Sequence, residues 1–270
     1  MSRTNKGKCA LCGIEEKLTF EHIPPRAAFN STPARPVSGM EMLIDDRLPW
    51  DTKNLHFKNS QQGMGKHSLC RACNNNTGSW YAQDYIDLAL AIDQYFRDNV
   101  TIKHDTIIID KLHPLRIIKQ IASMFCSINN PYDPKFDSLR KFVLNKDQTG
   151  LDSTKYRICC YFTNSSVMKY AALSALLCMK SGISNVNYIS EITAYPLGFL
   201  LYLNPDNTSE YKGIDITSFS NFNYNDIARI YFPVCIYEMN DIFPEYYRSK
   251  EEIIKCIENN KNIYENLKIL

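Results

Sequence analysis

Cys9-Ala10-Leu11-Cys12 and Cys70-Arg71-Ala72-Cys73 are two Cys-x-x-Cys pairs with 57 residues between them, and they constrain the chain more than any other feature. Each pair can form a tight knuckle that places two sulfurs on one ion, so together they can supply four thiolates to one tetrahedral zinc. Gly13 follows the first pair, as a knuckle turn needs, and Leu69 to Asn74 reads as a second knuckle leading into a short helix. The first 80 residues are rich in Pro, Gly, Asn and Lys and show little hydrophobic periodicity. Such a segment needs a metal to organise it. The other six of the ten cysteines are scattered. The basic N-terminus runs into Cys9 rather than an apolar signal core, so the thiols are expected to be free or on metal in a reducing, cytoplasmic setting.

A chain of 270 residues that is 44% apolar can bury a sizeable core. Its longest apolar runs, Ala171 to Met179 and Pro196 to Leu203, fall short of the roughly 18 residues a membrane span requires, so no membrane partner is expected. The net charge of +2 hides an asymmetry, because residues 1–80 hold 11 Lys and Arg against 7 Asp and Glu. The first part is therefore the better partner for a polyanion, although the bias is small.

From Tyr81 the pattern changes. Tyr85, Leu88, Ala89, Ile92, Tyr95 and Phe96 recur at helical spacing, and Pro114 opens a second helix with its stripe at Ile117, Ile118, Ile121, Met124, Phe125 and Ile128. Asp133-Pro134 starts a shorter helix through Val143. β-Branched and aromatic runs then predict strands at 106–110, 156–163, 187–194, 198–203 and 228–238, with a hairpin turn over Tyr195 to Gly198 and a closing polar helix over 249–267. The chain reads as α+β: a zinc-ordered module over 1–80, followed by a larger α+β domain over 81–270.

Between the knuckles lies Leu18-Thr19-Phe20-Glu21-His22-Ile23-Pro24-Pro25. An acidic residue beside a histidine on a short strand can send its carboxylate to a divalent cation and its imidazole to a nearby water. On pattern alone such a pair is more often an exposed strand end. The order Cys9-x-x-Cys12, Glu21-His22-Ile23-Pro24, Cys70-x-x-Cys73-Asn74, however, resembles the HNH endonuclease family with its ββα-metal, or treble-clef, fold. The resemblance covers residues 9–80.

It implies that Glu21, where aspartate is usual, and Asn74 are ligands of a catalytic Mg²⁺ or Mn²⁺. It implies that His22 is the general base and that Cys9, Cys12, Cys70 and Cys73 hold a structural Zn²⁺. The family's middle asparagine falls on Gly65, with Asn54, Asn59 or His67 as substitutes. Thr77 stands where a basic residue is common, leaving Lys66 or Arg71 for a phosphate. The run Gln61 to Gly65 reads either as a turn bringing backbone close to a ligand or as a hairpin tip.

The resemblance thus implies a metal-dependent endonuclease acting on DNA, or on RNA, of the kind used in bacterial defence or by mobile elements. Residues 81–270 would then serve recognition, sensing, homo-oligomer formation or a defence-system partner. The alternative is a zinc-ordered module that binds nucleic acid or protein without cutting. His56, His104 and His113 lack a partner at ligand spacing and read as surface or capping residues. Cys126, Cys159, Cys160, Cys178, Cys235 and Cys256 read as small hydrophobes, and Trp50 and Trp80 as packing anchors.

Overall fold

The computed structural model describes residues 5–44, 48–53, 55, 57, 59–99, 105–180, 183–206 and 210–267. Asn54, His56 and His104 lie outside the described residues. The elements in order are β1 (Lys6–Lys8), β2 (Glu15–His22), α1 (Gly39–Ile44), β3 (Gly65–Cys70), α2 (Arg71–Trp80), α3 (Ala82–Asp98), β4 (Thr106–Leu112), α4 (Pro114–Ile128) and α5 (Asp137–Leu144). They continue with β5 (Tyr156–Phe162), β6 (Lys169–Lys180), β7 (Ile183–Ala194), β8 (Leu197–Leu203), β9 (Ile214–Asp215), β10 (Ala228–Pro233) and α6 (Lys250–Leu267). The chain is α+β, as its pattern predicts.

Among the described residues the strands form three sheets. The antiparallel β1-β2-β3 sheet lies at the N-terminus, β4 pairs with β10, and the largest sheet has the order β6-β7-β8-β5-β9. The 170s apolar run forms β6, the edge strand of the largest sheet and a strand that the sequence pattern does not predict. Its apolar residues lack the strict alternation of a half-buried strand, so periodicity is silent there.

Helix α4 is the centre of the molecule. Pro114 occupies its first turn, where a missing N–H costs nothing, and all its side chains except Arg116 are buried. One hydrophobic core runs from Cys9, Leu11 and Ile23 beside the N-terminal sheet and Leu69 within it, through Tyr81, Tyr85 and α4, to Phe162 and Phe199 in the large sheet. Arg140, itself buried, fastens the first knuckle to the turn that follows α4. It donates to the carbonyls of Ala10, Asn130 and Asp133, each at 3.0 Å. A buried guanidinium persists only when its donors are satisfied in this way.

Candidate metal centres

The first knuckle turns at Gly13, whose φ of 76° is costly for residues bearing a Cβ. Its Cys9 sulfur accepts the Cys70 amide at 3.4 Å, and the Cys70 sulfur accepts the Cys73 amide, also at 3.4 Å, at the start of α2. Cys9, Cys12, Cys70 and Cys73 thereby bring four sulfurs within 4.8 Å of one another. The Cys12–Cys70 separation of 3.8 Å matches the edge of a tetrahedron with metal–sulfur bonds of about 2.3 Å. The cluster can hold a metal ion such as zinc.

Its electrostatics agree. A hydrogen bond from the Cys73 thiol pulls Cys9 down to about 4, whereas burial pushes Cys70 up to about 11. Cys73 is raised because its proton is held by Cys9. One thiolate is tolerated and the next is resisted, so full ionisation calls for a cation at the centre.

β2 pairs with β3 in the register Thr19 with Leu69, Phe20 with His67, Glu21 with Lys66 and His22 with Gly65, with an irregularity between Thr19 and Phe20. Asn74, on the first turn of α2, lies against this strand. Its amide donates to Thr19 Oγ1 at 3.0 Å and to the Phe20 carbonyl at 3.2 Å. Strand alternation places Glu21 on the same face as Thr19, the face that α2 covers. Glu21 is only 6% exposed, and no described residue gives its carboxyl a hydrogen bond or ion pair. Burial pushes that carboxyl up to about 8.

His22 lies on the opposite face. Its ring meets Phe20 edge-on at 5.0 Å, and His67 packs on the same Phe20 ring at 5.4 Å. Burial lowers the His22 pKa, with a hydrogen bond to the Gln62 backbone acting against it and the charge of Arg26 reinforcing it. The structure therefore brings Asn74 to the strand beside Glu21 and turns His22 away from both.

Gly65 cannot be exchanged for an asparagine, because a Cβ there would stand 2.2 Å from the Glu21 carbonyl oxygen. Thr77 is buried and spends its hydroxyl on the Cys73 and Asn74 carbonyls, at 3.0 and 3.3 Å. Packing occupies each position. Asn59 and Arg71 are exposed, and Lys66 reaches the Ile128 carbonyl at 3.5 Å.

Two structural residues escape sequence reasoning. Asn30 is buried, donates to the carbonyls of Pro24 and Met64 and accepts from the Met64 amide, all at 2.7 Å. Gly63, at φ 79°, brings its backbone against this side chain, so the 61–65 turn closes on Asn30. No spacing rule points to an asparagine eight residues after His22, and Arg140 is equally silent in the sequence. His113 is not a bare surface histidine, since its Nδ1 lies 2.7 Å from Asp84. Cys126, Cys159 and Cys160 are buried as expected of small hydrophobes.

No helix among the described residues is long and apolar enough to cross a membrane. No family model, no curated protein and no solved structure matches the chain.

Proposed function

We propose that residues 5–80 are an HNH-type nuclease head of treble-clef, ββα-metal design, and that the protein hydrolyses phosphodiester bonds in DNA. One observation carries the reading: a buried carboxyl without a partner, Glu21, stands on the helix-facing side of a strand tied by Asn74 to a helix that begins at a four-thiol cluster. A buried ionisable group with no partner is expensive to keep, and such groups concentrate at functional sites. Asn74 spends its amide N–H₂ on β2, and no described residue hydrogen-bonds its oxygen. A carboxylate and an amide oxygen suit a hard ion such as Mg²⁺ or Mn²⁺.

In this reading the four cysteines hold a structural Zn²⁺ that fixes α2 against β2. The hard cation, when bound by Glu21 and Asn74, supplies Lewis-acid stabilisation of charge on the phosphate. His22 is neutral near pH 7. A neutral imidazole keeps one ring nitrogen free to accept a proton from water.

The closed state of Glu21 and its separation from His22 favour a second reading, a zinc-ordered module that binds nucleic acid without cutting it. Nicking of supercoiled plasmid with Mg²⁺ or Mn²⁺, with and without EDTA, tests the first reading. Metal-dependent nicking that His22→Ala abolishes supports the nuclease. DNA binding without cleavage under every metal condition supports the module.

A further inference from the structure

We propose that the cleft between the start of α5 and the end of β8 is a binding site for a small ligand carrying a phosphate dianion. The cleft has a volume of about 360 Å³, and Lys135, Lys141 and Lys155 stand on its walls. That volume lies in the range of small-molecule sites. No residue of 5–80 lines it, so it is separate from the metal centres and independent of the reading given to them.

The floor follows from strand register. Tyr156 of β5 pairs with Leu203 of β8, and Leu203 pairs on its other side with Tyr188 of β7. Residues directly opposite on antiparallel strands share a face, so these three side chains form a row. Tyr156 and Leu203 line the cleft, and the Tyr188 ring lies 5.8 Å from the Lys135 ammonium. An aromatic and aliphatic floor beside cations suits a ligand with an apolar or planar body and an anionic end.

The walls are braced by the protein's own bonds. Tyr156 is buried; its hydroxyl donates to the Lys135 carbonyl at 2.6 Å and lies 2.7 Å from Ser138 Oγ. The Asn204 amide donates to the Lys155 carbonyl at 2.8 Å. Two of the three lysines therefore leave a main chain that is already fixed, which lowers the cost of ordering a site.

The cations come from three segments: Lys135 from the single turn Pro134–Phe136, Lys141 from α5, and Lys155 from the residue before β5. The one acidic residue on the wall, Asp137, gives its carboxylate to Arg140 at 2.7 Å. Asp133 lies 3.8 Å from Lys135 and Asp152 lies 3.3 Å from Lys155. Exposed pairs of this kind are weak and yield to a better anion. Lys141 forms no ion pair with any described residue. Three ammonium groups around one cleft repel one another until an anion joins them. Lysine acts as a point charge and suits the oxygens of a phosphate, whereas planar carboxylates favour the guanidinium fork.

The test is calorimetric titration of the zinc-loaded full chain, at low salt, with adenosine 5′-monophosphate, adenosine and inorganic phosphate. The expected result is binding of the monophosphate that weakens as salt rises, no binding of adenosine, and about tenfold or greater loss of affinity in Lys141→Gln and in Lys155→Gln. Both side chains are exposed, so neither change threatens the fold; Lys146→Gln, exposed and outside the cleft, should bind as wild type does. Tighter binding of the monophosphate than of inorganic phosphate identifies an ester resting on the floor, and equal binding identifies free phosphate; either result upholds the site. Absence of binding by both at millimolar concentration overturns it. So does an affinity that Lys141→Gln and Lys155→Gln leave unchanged, or that Lys146→Gln lowers equally.

Discussion

The side-chain amide of Asn74 donates to the main-chain carbonyl of Phe20 at 3.2 Å, one residue before Glu21. A helix that starts at the second knuckle is thus latched to the strand that leaves the first, and the latch sits beside the unpartnered carboxyl. Asn74→Asp should expose the relationship. The new carboxylate faces a carbonyl and loses both donated bonds, at a cost of about 2 kcal/mol measured by urea unfolding with chelator present. Added Mn²⁺ should recover much of that loss if Glu21 and residue 74 share a cation, and none if they do not.

The cysteine cluster predicts one zinc per chain. Cys70→Ser should abolish it and unfold the N-terminal sheet, because a structural zinc supplies folding energy that this core-poor segment lacks. Elemental analysis of protein never exposed to chelator checks the first part, and hydrogen exchange over residues 5–80 the second. A zinc-free protein with full protection there would remove the metal centre from the account.

Glu21 should write itself into the pH dependence of stability. Burial pushes its folded pKa up to about 8 from the ordinary 4.5. Between those values the folded chain keeps a proton that the unfolded chain has lost, so this group makes stability fall as pH rises through about 4.5 to 8. Near pH 7 the loss is on the order of 3 kcal/mol. Glu21→Gln should flatten that slope in chelator. Equal slopes in the two proteins would mean that the carboxyl is not closed in. The same carboxyl should release about one proton when Mg²⁺ or Mn²⁺ binds near pH 7, which calorimetry in buffers of different ionisation enthalpy can count.

Arg140 links the first knuckle to the body of the protein through the Ala10 carbonyl at 3.0 Å. Arg140→Ala leaves several buried carbonyls without donors and should cost about 3 kcal/mol or more. It should also hasten zinc transfer to a chromogenic chelator. A variant with lowered stability and an unaltered transfer rate would show that the clamp does not reach the knuckle.

If His22 is the general base, His22→Ala should slow cleavage by about 100-fold or more while zinc content and DNA binding persist. DNA binding should weaken as salt rises in wild type and variant alike, through release of counterions from the phosphates. Equal cleavage rates would assign the proton transfer to another group.

The sequence by itself determined what short-range spacing can encode. Two Cys-x-x-Cys pairs dictate knuckles because neighbouring thiols on a tight turn reach a common point whatever the rest of the chain does. The stripes at 85–96 and 117–128 dictate helices because apolar side chains at that period must share a face. Tertiary structure decided what depends on residues distant in the chain. Gly65 is glycine because β2 passes too close for a Cβ, and Thr77 is threonine because a helix carbonyl takes its hydroxyl. Asn30 and Arg140 matter through carbonyls 34 and 130 residues away. Glu21 and His22, adjacent in sequence, part company because a strand sends neighbours to opposite faces, and packing on its side leaves Glu21 only 6% exposed. Burial of that kind is a property of the assembled layers, and no local pattern of residues encodes it.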